Sequence, residues 1–357
     1  MLTVAVMPCL NEADVVRDAI GSLLQSFGED GCETIVIAVD NGSSDGTLDV
    51  LADISRSHPG RLRIEEESER GYVPPRRRGV AVAAQLASEM GVAERDVLVL
   101  QADADTVDRA GYATAMSRAA SQAEGVILEG SIRRPPAFEL EHPLYVEAER
   151  TVDAAIEPLE AADEDDVVVD DKVCAYRLSD YMAWGGLFEE WSDAGDAIHA
   201  ETTRMFVRAR LRHGVSKVRV NPAGAFPSRR RVFENARYHF ATLGFPRERT
   251  WGDRLKRGWS PLGVDAFARA VLDGGEEMAV RLRACHLLAL FRFLPAVILD
   301  ATATDAPLLN EPDVAAALTV IPRRGATILA EQPALAILDV LGLIDTRPDL
   351  FGPVAVG

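Results

Sequence analysis

The chain is poor in cysteine and in positive charge, and it has no long uninterrupted apolar run. Each shortage closes a class of function. Four cysteines (Cys9, Cys32, Cys174 and Cys285) are scattered through 357 residues with no CxxC. That excludes a disulfide framework and a thiolate zinc site, and reduced thiols suit a cytoplasmic protein. With 38 Lys and Arg against 56 Asp and Glu, the net charge is −18. A surface of that sign repels nucleic acid and anionic lipid, so neither is expected as a general partner. The most apolar stretch, residues 284–299, is interrupted by His286, Arg292 and Pro295. It reads as too short and too charged to span a bilayer, and as a buried helix instead. The first residues enter a strand pattern, Leu2 to Met7, without a basic n-region, so no signal peptide is expected. Two nucleotide motifs are missing as well. There is no GxGxxG after the first strand and no GxxxxGK[ST]. A bound nucleotide would have to be held by carboxylates, metal and side-chain cations.

What is present is an ordinary globular composition, 48% hydrophobic, which rules out wholesale disorder. The first 130 residues alternate strand and helix patterns. Strands are expected at 2–7, 34–39, 62–66, 96–100 and 125–129, with helices at about 13–25, 47–57, 80–90 and 108–122. A loop is expected over 71–79. Such alternation implies an α/β fold with a parallel sheet and helices on both faces. Residues 157–171 are strongly acidic and read as a solvated loop despite Val167-Val168-Val169 inside them. Beyond Trp251 the pattern is helical, at 264–272, 276–293, 314–321 and 334–341. The length suits two domains or one elaborated domain. The boundary is expected near 240–255, in a loop holding Pro246, Arg247, Glu248 and Arg249. This divides the chain into 1–245, with halves 1–125 and 126–245, and a helical region 246–357.

Two segments carry most of the chemistry. Val39-Asp40-Asn41-Gly42-Ser43-Ser44-Asp45-Gly46-Thr47 and Ala102-Asp103-Ala104-Asp105 each follow an apolar run that reads as a buried strand. Carboxylates therefore lie where strands end, at the edge where open α/β sheets bind ligands. Two carboxylates one residue apart can share a divalent cation that also holds a diphosphate. Pro8-Cys9-Leu10-Asn11-Glu12 follows the first strand, and Gly71, Arg76 and Gly79 mark a further loop. In order and position these segments resemble the P-x-x-N-E, V-D-[DN]-G-S-x-D-x-T, G-x3-A-R-N-x-G and D-x-D motifs of family 2 glycosyltransferases. The resemblance is strong over residues 2–125, weaker over 126–235 and absent afterwards.

The resemblance implies a GT-A fold, a nucleotide-diphosphate sugar donor and Mg²⁺ or Mn²⁺. Asp40 would recognise the nucleobase. Pro8 would line the nucleotide site, and Glu12 would meet the ribose or cap the first helix. Asp45 reads as a helix cap. Asp103 and Asp105 would serve the metal, Asp105 directly and Asp103 through metal or ribose. Arg76 would face base or phosphate. Arg77 stands where the family has Asn. Arg229 and Arg230, in the run Arg229-Arg230-Arg231, would clamp the diphosphate or form a surface patch.

The family's catalytic base is usually the Asp of a Glu-Asp pair opening a helix. Here Glu201 keeps the Glu, but Thr202 holds the Asp position. Glu201 is the first choice as base, with a helix N-terminus as its rival role. Asp196 is second and Asp193 third, while His199 reads as structural. The expected activity is inverting, metal-dependent transfer to a hydroxyl of a soluble small-molecule or glycan acceptor. UDP is the default nucleotide, and a homodimer through the C-terminal helices is possible. The alternative is a nucleotide-sugar-binding protein without transfer activity. A nucleotidyltransferase is disfavoured because no Gly-rich loop follows the first strand.

Overall fold

The computed structural model describes residues 1–26, 34–245, 249–259 and 261–352. Cys32 and the expected boundary residues Pro246, Arg247 and Glu248 lie outside them. The described strands are β1 (Leu2–Cys9), β2 (Thr34–Asp40), β3 (Leu62–Glu66), β4 (Val97–Gln101), β5 (Thr106–Asp108), β6 (Val126–Ile132), β7 (Cys174–Arg177) and β8 (Ser216–Pro227). They form one sheet in the order β3-β2-β1-β4-β7-β6-β8-β5. β1 pairs in parallel with β2 and β4, and β2 with β3. β7 runs antiparallel to β4 and β6, β5 runs antiparallel to β8, and β6 and β8 pair in parallel. The sheet is thus mixed. Its parallel part is the half expected from strand–helix alternation.

Period-2 alternation sends β1 side chains to both faces, and both are covered. Val4 and Val6 join one buried cluster, Ala5 and Met7 another. The second cluster is closed by α1 (Val16–Ser26), α2 (Thr47–Ser57) and α4 (Tyr112–Gln122), through Ile20, Leu51 and Met116. Against the first face lies α3 (Val73–Met90), followed in chain order by α5 (Pro136–Glu141), α6 (Pro143–Ile156) and α7 (Leu178–Ala183). Gly79 lets α3 approach β1, since a Cβ there would sit 2.3 Å from Val6 Cγ1. α8 (Glu201–His213), α9 (Arg230–Glu234), α10 (Ala236–Thr242), α11 (Arg249–Arg257) and α12 (Val264–Leu272) complete this layer. The cluster runs on through Phe240, Phe267, Phe293 and Leu341, so the C-terminal helices share a core with the sheet.

Several expectations change. α3 begins at Val73 rather than after Gly79. Pro74 and Pro75 do not prevent this, because proline in a first turn forfeits no intrahelical hydrogen bond. The apolar stretch at 284–299 is part of a continuous helix, Glu277–Ala301, long and apolar enough to cross a membrane. The expectation that it is too short is corrected, whereas burial holds: 89% of its apolar window is covered by the rest of the fold. Arg283 on this helix donates to both carboxylate oxygens of Asp153 in α6, at 2.6 and 2.8 Å.

The acidic segment 157–171 is solvated only in part, with residues 157–158 and 162–164 exposed and the rest drawn inward. Val167 and Val169 are buried. Asp166 accepts from Lys217 Nζ at 2.5 Å and from Arg219 Nη2 at 2.7 Å. Glu129 accepts from the Asp170 N–H at 2.8 Å. The acidic run lies along β6 and β8 because the β8 cations Lys217 and Arg219 and the buried Val167 and Val169 draw it inward.

Candidate active site

β1 is the strand at which the order of the parallel half reverses. β2 and β3 follow on one side of it, β4 on the other. Ligands of open α/β sheets bind at the carboxyl ends of strands beside such a switch point. The register aligns Cys9 with Asp40 and Val6 with Gln101. The segments after β1, β2 and β4 therefore leave the sheet together, bringing Glu12, Asp40, Asp103 and Asp105 to one edge.

The first two turns are laced to each other. Asn11, at a left-handed φ of 58°, donates its N–H to Ser43 Oγ and accepts from the Ser44 N–H. The Glu12 N–H meets Thr47 Oγ1 at 2.8 Å, and the Ala13 N–H meets Asp45 Oδ2 at 3.1 Å. Asp45 also accepts from the Thr47 N–H, but the N-cap position of α2 is Gly46, so Asp45 stands one residue before the cap it was expected to be. Asp40 is buried, and its Oδ2 accepts from Gly42 and Ser43 N–H groups. Its Oδ1 has no hydrogen-bond partner among the described residues. A buried, unpartnered carboxylate oxygen is costly unless something donates to it. Pro8 stands within β1 beside Val39.

Arg76 forms the centre of a second assembly. It is 4% exposed, in the first turns of α3. Its guanidinium donates to Asp103 at 2.6 Å, Asp171 at 2.9 Å, Glu201 at 3.1 Å and Gln101 at 2.9 Å. Gln101 passes the chain on to the Tyr176 hydroxyl. Its donors are thus spent on side chains. Glu201 opens α8, directly after Ala200, whose φ of 62° is left-handed. That strained backbone aims the glutamate inward, and such strain collects at functional sites. Burial pushes the Glu201 carboxyl up against the opposing charge of Arg76, and Asp171 adds to the rise. Burial would raise Asp171 too, but Lys172 and Arg76 outweigh it and hold that carboxyl at about 2.

The third group is Glu12, Asp105 and Arg230. Arg230 Nη2 lies 2.5 Å from Glu12 Oε1 and 3.2 Å from Asp105 Oδ2. Burial, and then the charge of Asp103, push the Asp105 carboxyl up, with Arg230 opposing. Glu12 is raised by burial, again against Arg230. Its Oε2 has no partner among the described residues. Glu12 therefore faces this cluster rather than capping α1 with its side chain.

Some expected residues lie elsewhere. Arg229 donates to Glu149 at 3.2 Å and stacks on Phe138, so it belongs to a separate Glu149–Arg134 cluster. Asp196 sits in a surface turn and accepts from the Thr250 N–H and hydroxyl. Asp193 is exposed in the same turn. The structure gathers Asp103 and Glu201 around Arg76, and brings neither Asp193, Asp196 nor Arg229 to them. Asp171 is the residue that sequence reasoning missed. Its signal was available: it follows the apolar Val167-Val168-Val169 run, as Asp40 and Asp103 follow theirs.

Among the described residues no group of three or more His, Cys, Asp or Glu side chains forms a ready metal cage. Two carboxylates with a partial deficit of positive charge are nonetheless what a diphosphate-bound dication uses, since the diphosphate supplies further oxygens.

Comparisons with known proteins agree with these motifs. Residues 4–108 match the family model described as Glycosyl transferase family 2. The match spans β1 to β5 and takes in the turns after β1, β2 and β4 together with the Gly71–Gly79 segment. No curated protein matches the chain. A solved mannosyltransferase from Pyrobaculum calidifontis, in complex with GDP-Man and Mn²⁺, aligns at 18% identity. That alignment covers 97% of this chain and 87% of that one, at a TM-score of 0.46. S. aureus TarS 1-349 in complex with UDP aligns at 14% identity, covering 97% and 92%, at 0.43. Likenesses this loose support no argument about substrate or mechanism.

Proposed function

We propose, from the glycosyl transferase family 2 region at residues 4–108, that this glycosyltransferase moves a sugar from a nucleotide-diphosphate donor to an acceptor hydroxyl with inversion. The observation that carries the donor half is the unpartnered, buried Asp40 Oδ1 at the same sheet edge as Asp103 and Asp105. A nucleobase N–H would satisfy that oxygen. UDP is the default nucleotide. Asp103 and Asp105 would hold Mg²⁺ or Mn²⁺, which supplies charge neutralisation of the departing diphosphate. Arg230 would then exchange its carboxylate contacts for phosphate oxygens, to which a guanidinium donates bidentately.

Glu201 is the proposed base. Its raised carboxyl is a better proton acceptor than Asp171, which is held near 2. The acceptor hydroxyl gives its proton to Glu201 as its oxygen bonds to the anomeric carbon. The bond from that carbon to the diphosphate breaks, and the nucleoside diphosphate leaves with the electron pair. Arg76 keeps Glu201 and Asp103 in one rigid frame, so base and donor site stay in register. The acceptor is proposed to be a soluble compound. Titration with UDP, GDP and dTDP, each with and without Mn²⁺, tests the reading. Metal-enhanced binding of one nucleotide is expected; absent binding of all three refutes it.

The rival is a donor-binding protein without transfer activity. Thr202, in place of the usual Asp, favours it, and its buried Oγ1 has no partner among the described residues. Sugar transfer lost in Glu201→Gln while nucleotide binding persists rules it out.

A further inference from the structure

Arg229 belongs to a cluster around Glu149 of α6, which is 4% exposed and meets three guanidiniums. Arg134 Nε donates to its Oε2 at 2.7 Å, and Arg229 Nη1 donates to its Oε1 at 3.2 Å. Arg283 Nη1 lies 3.9 Å from the same Oε1, but that guanidinium is spent on Asp153 and on the Phe240 carbonyl. Three cations face the two carboxylates of Glu149 and Asp153, so positive charge is in excess. Burial would raise the Glu149 carboxyl, yet Arg229, Arg283 and Arg134 outweigh it and hold it below its ordinary value. Arg134 and Arg229 differ from Arg283 in reaching solvent: their side chains are 22% and 24% exposed, against 6%. Beyond Glu149, neither guanidinium has a hydrogen-bond partner among the described residues. The Phe138 ring, 5.4 Å from Arg229 Cζ, backs one of them. Two forks are thus seated on the two oxygens of one buried carboxylate, with N–H groups left unspent.

The sheet places this pair beside the metal candidates. β7 is antiparallel to both β4 and β6, and β8 is parallel to β6, so β4, β6 and β8 all point the same way. Arg134 follows β6 and Arg229 follows β8, hence both leave the sheet at the edge where Asp103 and Asp105 leave it after β4. Backbone hydrogen bonds fix the spacing. The Arg133 N–H meets the Ala225 carbonyl at 2.9 Å, and the Ser228 N–H meets the Asp105 carbonyl at 2.8 Å. Along the edge, Asp40 follows β2, Glu12 follows β1, Asp103 and Asp105 follow β4, and Arg134 and Arg229 come beyond them. A donor with its base at Asp40 and its diphosphate at Asp103 and Asp105 therefore leaves the two arginines on the side away from the base.

We infer that Arg134 and Arg229, oriented by Glu149, bind an anionic group of the acceptor, a phosphate or a carboxylate carried apart from the reacting hydroxyl. This rests on the transferase reading and narrows its acceptor class. A guanidinium suits either group because its fork donates to two oxygens at once. Both forks are already held in place by Glu149, so little ordering is left for the ligand to bring about. A chain of net charge −18 repels anions overall, and a local excess of positive charge at the sheet edge counters that repulsion where the acceptor enters.

The probes are inorganic phosphate and acetate, titrated calorimetrically into the full chain already saturated with its nucleotide and Mg²⁺. Saturation keeps the probe off the donor phosphate site. Binding of at least one anion is expected, and which one binds tells a phosphate-bearing acceptor from a carboxylate-bearing one. Arg134→Met and Arg229→Met should each weaken it about tenfold or more, since hydrogen bonds to a charged group are lost. Either change leaves the buried Glu149 short of a partner, so the double variant Arg134→Gln/Glu149→Gln is measured beside them. It removes one charge of each sign and strands no carboxylate. Its nucleotide affinity should be native, while its anion binding falls by a similar factor. No anion binding to the nucleotide-bound native chain overturns the inference, as does anion binding unchanged in the double variant. Weakened nucleotide binding in folded Arg229→Met also overturns it, since Arg229 then serves the donor. Failure of the native chain to bind any nucleotide counts against the transferase reading instead, and is seen before the anion is added.

Discussion

Arg76→Ala removes one cation from the middle of three carboxylates. Arg76 and Glu201 are each about 5% exposed at the side chain, Asp103 23% and Asp171 29%, so water screens the loss poorly. Breaking a buried pair by deleting one partner costs about 3–5 kcal/mol. At about 2.1 cal/mol/K of unfolding entropy per residue, a chain of 357 residues should lose about 4–7 °C in Tm at pH 7. The pH dependence separates this from a packing defect. In the native chain Asp171 is held at about 2, below its unfolded value. Its stabilisation is present above the ordinary carboxylate range and is lost as pH falls towards 2. In the variant, Glu201, already raised in the native chain, loses the cation that opposes its burial and rises further, while Asp171 keeps Lys172 beside it. The folded variant then binds more protons than its unfolded chain, so its stability increases as pH falls. The difference in Tm between native and variant should therefore narrow between pH 7 and pH 5. Arg76→Lys should fall between the two, because an ammonium keeps the charge but cannot donate to four groups in fixed directions. Calorimetric scans at both pH values check this. An equal difference at pH 7 and pH 5, or an unchanged Tm, refutes the electrostatic account of the cage.

Four further outcomes are expected. Glu201→Gln should lower kcat by about 10²–10⁴ while nucleotide affinity, measured by titration, is kept. Asp105→Asn should abolish the enhancement of nucleotide binding by Mn²⁺, leaving a metal-independent residue of affinity visible in the same titration. Gly79→Ala should destabilise by about 1–3 kcal/mol in denaturant unfolding, because its Cβ would lie 2.3 Å from Val6 Cγ1 and α3 must move off β1. Asp108, on β5, is pushed up by burial to about 8. Its folded form holds a proton that the unfolded chain loses above the usual carboxylate range, so it reduces stability increasingly from about pH 4 to pH 8. Asp108→Asn should accordingly stabilise the chain at pH 8 by more than at pH 4 in matched thermal scans.

The sheet-edge turns were legible because their chemistry follows their strands. Buried runs at 2–7, 34–39 and 96–100 are uniform enough to read as parallel strands, and Glu12, Asp40 and Asp103 come directly after them. Local rules also explain the lacing, since Asn11, Asp45 and Thr47 are turn and cap residues by chemistry. β8 was not legible, because Ser216 to Asn221 interleaves charges with single valines and Pro222 follows. Its pairing with β6 depends on the buried Lys217, whose ammonium meets Glu129 and Asp166. That charge pattern has no signature in hydrophobic periodicity. The start of α3 was hidden by Pro74 and Pro75, which read as a loop unless first-turn tolerance is considered.

The assembly around Arg76 is harder to read for a reason visible in Arg76 itself. Its partners Asp171 and Glu201 are 95 and 125 residues away. No local pattern specifies either. Asp171 reaches Arg76 because the segment before it is tied down on both sides. Thr203 of α8 exchanges hydrogen bonds with the Val169 N–H and C=O. Lys217 donates to Asp166 and to the Val168 carbonyl, while Glu129 takes the Asp170 N–H. α8 thus supplies Glu201 to the cage and Thr203 to the segment that carries Asp171. The two carboxylates cannot shift independently, since both hang from the same helical turn. A threonine at 202 leaves this turn without the aspartate usual in family 2 glycosyltransferases, which the chain resembles, yet a second carboxylate still arrives at Arg76 beside Glu201, from a different segment of the chain. The carboxylates around Arg76 are brought together by topology rather than by motif, and under the proposed reaction Glu201 remains the base despite the departure at Thr202.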